Sequence, residues 1–392
     1  MTETTLILGA ARTPIGAFLG SLAPLTATQL GAIAIKCAIE RSGLSPDRID
    51  EVFMGNVVQA GVGQAPARQA ALGAGLPRSV PCTTINKVCG SGLKAVMLAS
   101  SQIAAGEYGV IIAGGMESMS NAPYLLRGLR QGLTLGEHSM EDANLTDGLV
   151  DAYGGGHMGL GGEKAAAKTG LSREDQDRFA LRSYEKALAA QRSGAFTAEI
   201  VPVDVPGRKG QITRVENDET PRETSLEALA ALKPAFKPDG TVTAGNASKL
   251  NDGAAALVVA SGTRARELGA TPLARLVAQA QFALEPDLFL LAPTGAIARV
   301  LEKSGWTAGD VDLYEVNEAF SGVEAVRREL GIPEDRFNVN GGAVALGHPI
   351  GASGARLLVT LLYALRARGK TRGVVSLCLG GGEAVALAVE LL

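Results

Sequence analysis

The sequence is poor in residues that hold metals or close disulfide frameworks. Four cysteines (Cys37, Cys82, Cys89, Cys378) form no Cys-x-x-Cys pair, and there are only three histidines. This argues against a zinc site or a disulfide-stapled fold, and points to reduced thiols in the cytoplasm. A cysteine with a task is then expected to be a nucleophile or a base, with no metal. Charge is sparse and balanced: charged residues are 20%, the formal net charge is -3, and no Lys/Arg block occurs. Such a surface gives nucleic acid no footing. No run of 18 uninterrupted apolar residues occurs, so no membrane span is expected. The first residues lack a basic stretch followed by an apolar one and run straight into the strand-like TTLILGAA, so no leader is expected.

In place of aromatics, only 4% of the chain, stand 50 glycines and a large aliphatic share. Small cores with many tight turns suit closely packed α/β layers, and 392 residues suit two or three domains. The apolar runs 110–113 and 374–377 are short and end in glycines, as buried strands do. Segments 93–105 and 355–365 carry apolar residues at helical spacing. The chain also repeats itself. Glu40-Arg41-Ser42-Gly43-Leu44 followed by Ile49-Asp50-Glu51-Val52 matches Glu302-Lys303-Ser304-Gly305-Trp306 followed by Val311-Asp312-Leu313-Tyr314, at an offset of 262 residues. Gly109-Val110-Ile111-Ile112 matches Gly373-Val374-Val375-Ser376 at an offset of 264. Periods this long exclude a solenoid and point to two α/β halves. Between them, about 118–247, the texture turns to glycine, proline and charge, with one clear helix at about 173–192. This reads as an insertion over the first half, suited to binding loops or subunit contacts.

Four segments carry chemistry. Asn86-Lys87-Val88-Cys89-Gly90-Ser91-Gly92 places a thiol directly before an apolar helix, where the dipole and free N–H groups favour thiolate. Taken alone, it fits equally a small buried cysteine at a tight turn. The run from Asn340 through Gly347-His348-Pro349 to Gly354 occupies the matching place in the second half. Equivalent turns of a duplicated fold can face each other, which would set His348 as base beside Cys89; a lone histidine among glycines is otherwise structural. Cys378-Leu379-Gly380-Gly381-Gly382 ends a buried-strand pattern, and its cysteine reads as core filler or as a carbon-acid base. Asn317-Glu318-Ala319-Phe320 follows another strand, and Asn317 serves as a helix cap or as a donor to a developing oxyanion.

In this order the four segments closely resemble the thiolase family, and within it the acetyl-CoA acetyltransferases, over nearly the whole chain from Ala11-Arg12-Thr13-Pro14 onward. The resemblance implies a five-layer αβαβα fold of two duplicated halves, 1–270 and 271–392, with a loop domain inserted in the first at about 118–247. It implies Cys89 as acyl-carrying nucleophile, His348 as its base and Cys378 as the group exchanging the proton of the condensing acetyl unit. Asn317 with His348 would serve one oxyanion hole, and the N–H groups of Cys89 and Gly380 the other. His157, Met158, Arg222, Ser248 and Phe320 match coenzyme A and acyl-pocket contacts. Arg208 and Lys209 read as solvated loop charges and His138 as an exposed loop residue. Lys249, Ser321 and Glu383 stand where the family pattern varies, which leaves chain-length preference open. No permanent cofactor is implied, only coenzyme A thioesters, and the assembly implied is a homotetramer with 118–140 as a contact. Rival readings are a broader-range 3-ketoacyl-CoA thiolase, a decarboxylating ketosynthase and a non-catalytic acyl-CoA binder. The ketosynthase needs no counterpart of Cys378, and the intact four segments speak against the binder. A dinucleotide fold is excluded because no G-x-G-x-x-G follows the first strand.

Overall fold

Alternation along the strands assigns the layers of this protein, which a computed structural model describes over residues 3–154 and 156–392, the Arg208 side chain apart. The first half contains strands β1 (Thr5–Arg12), β2 (Glu51–Gly55), β3 (Cys82–Ile85), β4 (Val110–Ser118) and β5 (Asn251–Ser261). The second contains β6 (Ala274–Ala283), β7 (Leu313–Val316), β8 (Arg372–Leu379) and β9 (Glu383–Leu391). The principal helices are α1 (Ala27–Ser42), α2 (Ser91–Ala104), α3 (Met158–Thr169), α4 (Arg173–Arg192), α5 (Ala292–Ser304) and α6 (Ile350–Ala367).

On β4, Val110 and Ile112 pack with α1, while Ile111 and Ala113 pack with α2 and α6. On β8, Val375 and Leu377 face that same central pair of helices, while Val374 and Cys378 face α5. Period-two side chains thus feed three cores, and the order is helix, sheet, helix pair, sheet, helix. The fold is the expected αβαβα. The strand order is β3-β2-β4-β5-β1 in one half and β7-β8-β9-β6 in the other, and a parallel bridge from Tyr314 to Phe337 stands in the place of β3. The two orders mirror each other about β1 and β6, which join antiparallel only at Leu6–Arg275 and Ile7–Ala274. α6 is long and apolar enough to cross a membrane by length and composition, yet 83% of it is buried inside the fold.

The insertion holds more helix than its sequence announces. α4 spans Arg173–Arg192 with a Ser172–Asp175 capping box, in line with its pattern. α3 went unread because Gly159, Gly161 and Gly162 depress helix propensity. Packing explains them: a Cβ at Gly159 would lie 2.3 Å from the Phe236 ring, and one at Gly161 2.6 Å from Phe289.

One buried ion cluster ties the insertion to the first strand. Arg12, fully buried, donates from Nε to Glu199 at 2.6 Å and from its two terminal nitrogens to Asp218 at 2.7 and 2.9 Å. Replacing one member of such a cluster strands the others' charge. Arg12→Leu is therefore expected to destabilise the fold by about 3–5 kcal/mol, read as a lower denaturant midpoint. A midpoint equal to the wild type would mean that the carboxylates find other partners.

Candidate active site

Both chemistry-bearing turns start from central-layer helices. Cys89 lies two residues ahead of α2, and His348 two residues ahead of α6. The two helices pack together in one core. Their tips come close because glycines line the contact: a Cβ at Gly92 would meet the Ala355 nitrogen at 2.8 Å, and one at Gly115 the Gly351 oxygen at 2.0 Å. The equivalent turns of the two halves therefore meet.

The Cys89 turn is wound tightly. Val88 sits at φ +46°, a left-handed conformation that a β-branched residue adopts only when its surroundings impose it. Ser91 locks the turn, its hydroxyl accepting from Lys87 N–H at 2.9 Å and donating to Val88 O at 2.7 Å. The backbone N–H groups of Gly380 and of Cys89 itself pull the thiol down, toward thiolate. They do not win. Burial pushes the Cys89 thiol up to about 12, and the charge of Glu117 adds to the shift. That rise is on the order of 4 kcal/mol, against about 1–2 kcal/mol from a helix N-terminus. Burial thus outweighs the pull of the helix start and favours the thiol, which fits the expectation of a base beside Cys89.

His348 is buried and poised as that base. Ser353 donates its hydroxyl to Pro349 O at 2.8 Å, so it accepts from His348 Nδ1–H at 2.5 Å. This assigns the proton to Nδ1 and leaves Nε2 as an acceptor, which takes a long hydrogen bond from the Asn317 amide N–H at 3.4 Å. Burial, with the charge of Arg356, holds the imidazole down to about 3, so the ring rests neutral. Asn251 Oδ1 accepts from His348 N–H at 2.9 Å. Glu117, on the far side, accepts from Gly351 N–H at 2.8 Å, from Val57 N–H at 3.0 Å and from Asn56 at 2.6 Å. It thereby fastens the first turn of α6 to the first half. No direct hydrogen bond joins His348 to Cys89 among the described residues.

Asn317 follows β7, with its Oδ1 buried and unpaired. Cys378 lies buried near the end of β8, and burial together with the Cys89 charge raises its thiol well above the ordinary value. The two cysteines are therefore electrostatic neighbours. Gly380 turns toward them, its Cβ direction meeting Val88 at 3.5 Å and Met158 at 3.9 Å. Met158, Phe320, Phe236 and Cys378 share one apolar cluster. His157 caps α3, accepting from Gly159 N–H at 3.1 Å, and its ring stacks on Phe236 with centroids 4.6 Å apart. Beside them a cavity of about 260 Å³ is lined by Tyr153, His157, Met158, Leu160 and Phe289. Ser248 N–H pairs with Ala319 O at 3.0 Å, next to Phe320. Arg222 is exposed, its guanidinium 5.7 Å from the centre of the Tyr184 ring. His138 is exposed, with Nε2 2.9 Å from Thr134 O.

Ser353, Asn251 and Glu117 escaped the reading of the sequence. Ser353 stands inside the glycine-rich His348 segment, five residues on, which is the one local signal that was there. Asn251 and Glu117 are 97 and 234 residues from their partners, so nothing local marks them. No group of three or more His, Cys, Asp or Glu that could hold a metal occurs among the described residues.

Comparison with known proteins identifies the family. The thiolase N-terminal domain model matches residues 5–263, and the thiolase C-terminal domain model matches 270–391. The chain is 51% identical over its full length, and the full length of the relative, to an acetyl-CoA acetyltransferase of Allochromatium vinosum. It is 50% identical, over 99% of both chains, to a probable acetyl-CoA acyltransferase of Staphylococcus aureus. The crystal structure of a Bacillus anthracis acetyl-CoA acetyltransferase superposes with a TM-score of 0.97 at 42% identity, covering 100% of this chain and 99% of that one. Sequence, fold and the convergence of four separated segments lead to one conclusion: the chain belongs to the thiolase family.

Proposed function

We propose that this protein is an acetyl-CoA C-acetyltransferase that joins two acetyl-CoA reversibly into acetoacetyl-CoA and free coenzyme A. The observation that carries this reading is the meeting of Cys89, His348, Asn317 and Cys378 from both halves, together with full-length relatives named for that activity. In the first half-reaction the Cys89 sulfur attacks the thioester carbonyl. His348 Nε2 takes the thiol proton and passes it to the departing coenzyme A sulfur. In the second, Cys378 gives its own proton to His348 and takes one from the methyl of a new acetyl-CoA. The enolate attacks the acyl carbon, Cys89 leaves, and the imidazolium returns a proton to it. Oxygen charge builds in both steps, and preorganised donors are the largest rate term for such chemistry. Asn317, holding a water beside His348, serves one oxyanion, and the N–H groups of Cys89 and Gly380 serve the other. Coenzyme A thioesters are the substrates, with His157, Met158, Ser248, Phe320 and the exposed Arg222 along their path. We also read the chain as halves dividing near residue 270 with a loop domain at about 118–247, a reading supported by the mirrored strand orders. The protein is further read as cytoplasmic and homotetrameric, and the exposed Tyr124, Leu129, Leu135 and Met140 support a subunit contact within 118–140.

Cys378→Ala separates the half-reactions. It should still acetylate Cys89 and exchange labelled coenzyme A with acetyl-CoA, because exchange breaks no carbon–hydrogen bond. It should lose condensation and thiolysis together by about 10²–10⁴-fold, the scale of a positioned acid or base. His348→Ala should impair both. Condensation by Cys378→Ala at the wild-type rate would return that cysteine to core filler.

The relative named as an acyltransferase keeps a second reading, a broader-range 3-ketoacyl-CoA thiolase. Met158 against Gly380 and the stacked His157–Phe236 pair favour a short pocket. kcat/KM should fall at least about tenfold from acetoacetyl-CoA to 3-ketohexadecanoyl-CoA, since one obstruction is worth roughly 1–3 kcal/mol. Equal turnover of the long substrate would favour the second reading.

A further inference from the structure

A single helical turn, Ala343–Leu346, leads into Gly347 and His348. Continued helix would pair Val344 O with the N–H four residues on, that of His348. That bond is not made. His348 N–H donates instead to Asn251 Oδ1 at 2.9 Å, and Val344 O accepts from Lys249 Nζ at 2.8 Å. Both substitutes come from the same short segment, two residues apart. Between them the chain breaks at Gly347, φ +103°, where a Cβ would lie 2.4 Å from the Asn251 side chain. The N–H of Val344 is held as well, donating to Glu318 Oε2 at 3.2 Å. Ser183 adds a bond to Gly342 N–H at 3.1 Å, and Thr220 one to Ala345 O at 2.8 Å.

We propose that Lys249 is a positioning residue for catalysis: its ammonium captures the Val344 carbonyl, ending the helical turn where His348 must swing toward Cys89. The proposal rests on the acetyltransferase reading above and extends it to a residue that contacts neither of the reacting sulfurs. Lys249 Nζ also donates to Tyr184 OH, from α4, at 2.8 Å. The charged or titratable groups around it are Tyr184, Arg222 from the chain ahead of Leu226–Ala230, and Glu318 across the Val344 peptide. No carboxylate pairs with Lys249 among the described residues. Burial, then the charge of Arg222, brings its ammonium down to about 8. Charge on the donor is therefore lost as pH rises through that region, and the clamp weakens on the alkaline side.

The test is rapid-quench acetylation of Cys89 by acetyl-CoA, followed by mass spectrometry of the full-length protein. No free coenzyme A thiol is a reactant, so its titration does not intrude. The wild-type rate should fall from pH 7 to about pH 9.5. Lys249→Met should be slower at pH 7 by about tenfold or more, the cost of a misplaced base, with little further alkaline loss. Lys249→Arg should stay within about threefold of wild type and lose the alkaline fall, since guanidinium keeps its charge. Wild-type rates in Lys249→Met, or an alkaline fall unchanged in Lys249→Arg, would overturn the proposal. The arginine variant decides the matter even if the methionine variant does not fold. A wild-type protein that takes no acetyl group on Cys89 would instead overturn the functional reading, and the proposal with it.

Discussion

Burial of the reacting groups is the constraint on which the rest of this site depends. In water a thiol near 9 and an imidazole near 6.5 stand only a few units apart. Here burial drives one up to about 12 and the other down to about 3, so both rest neutral. A low-polarity site penalises any charge it does not neutralise. Developing charge on sulfur or oxygen must therefore meet donors already in place, the backbone N–H groups and an amide, joined by the imidazole once it has taken the thiol proton. Reactivity is deferred until substrate supplies a carbonyl to attack.

Such a site tolerates little misplacement, and the architecture is built around that requirement. Two mirrored halves bring α2 and α6 tip to tip, with glycines where backbones meet. Glu117 pins the start of α6 from the first half, while Asn251 and Lys249 hold the His348 turn from β5 and the residues just before it. The insertion contributes through Ser183, Tyr184 and Thr220, and is itself fastened to β1 by Arg12. Each clamp crosses a long stretch of chain. The loss of any one would shift the imidazole rather than remove a reactive group.

This division explains what was legible in the sequence. Cys89, His348 and Cys378 sit in short glycine-marked segments whose composition serves a local turn, and Asn317 follows a strand pattern directly, so they are visible without a structure. The duplication was visible too, through two matches at nearly one offset, and so was the helix α4. Residues that act over distance left no local trace. Asn251 lies at the start of an ordinary-looking strand, and Glu117 ends another. α3 was hidden because its glycines answer to Phe236 and Phe289, neighbours that only the fold supplies. The pull of the α2 start on the Cys89 thiol is likewise local and readable, whereas the burial that outweighs it belongs to the assembled site.

The resting state of His348 tests this picture most directly, and with three histidines in the chain its signals can be assigned by comparison with His348→Ala. Nitrogen-15 NMR of histidine-labelled protein should show a neutral ring with the proton on Nδ1 and a bare Nε2, unchanged from about pH 5 to pH 9. A ring protonated on both nitrogens across that range, and converted to neutral by alkylation of Cys89, would mean a thiolate–imidazolium pair at rest and would contradict the claim that burial keeps both groups uncharged.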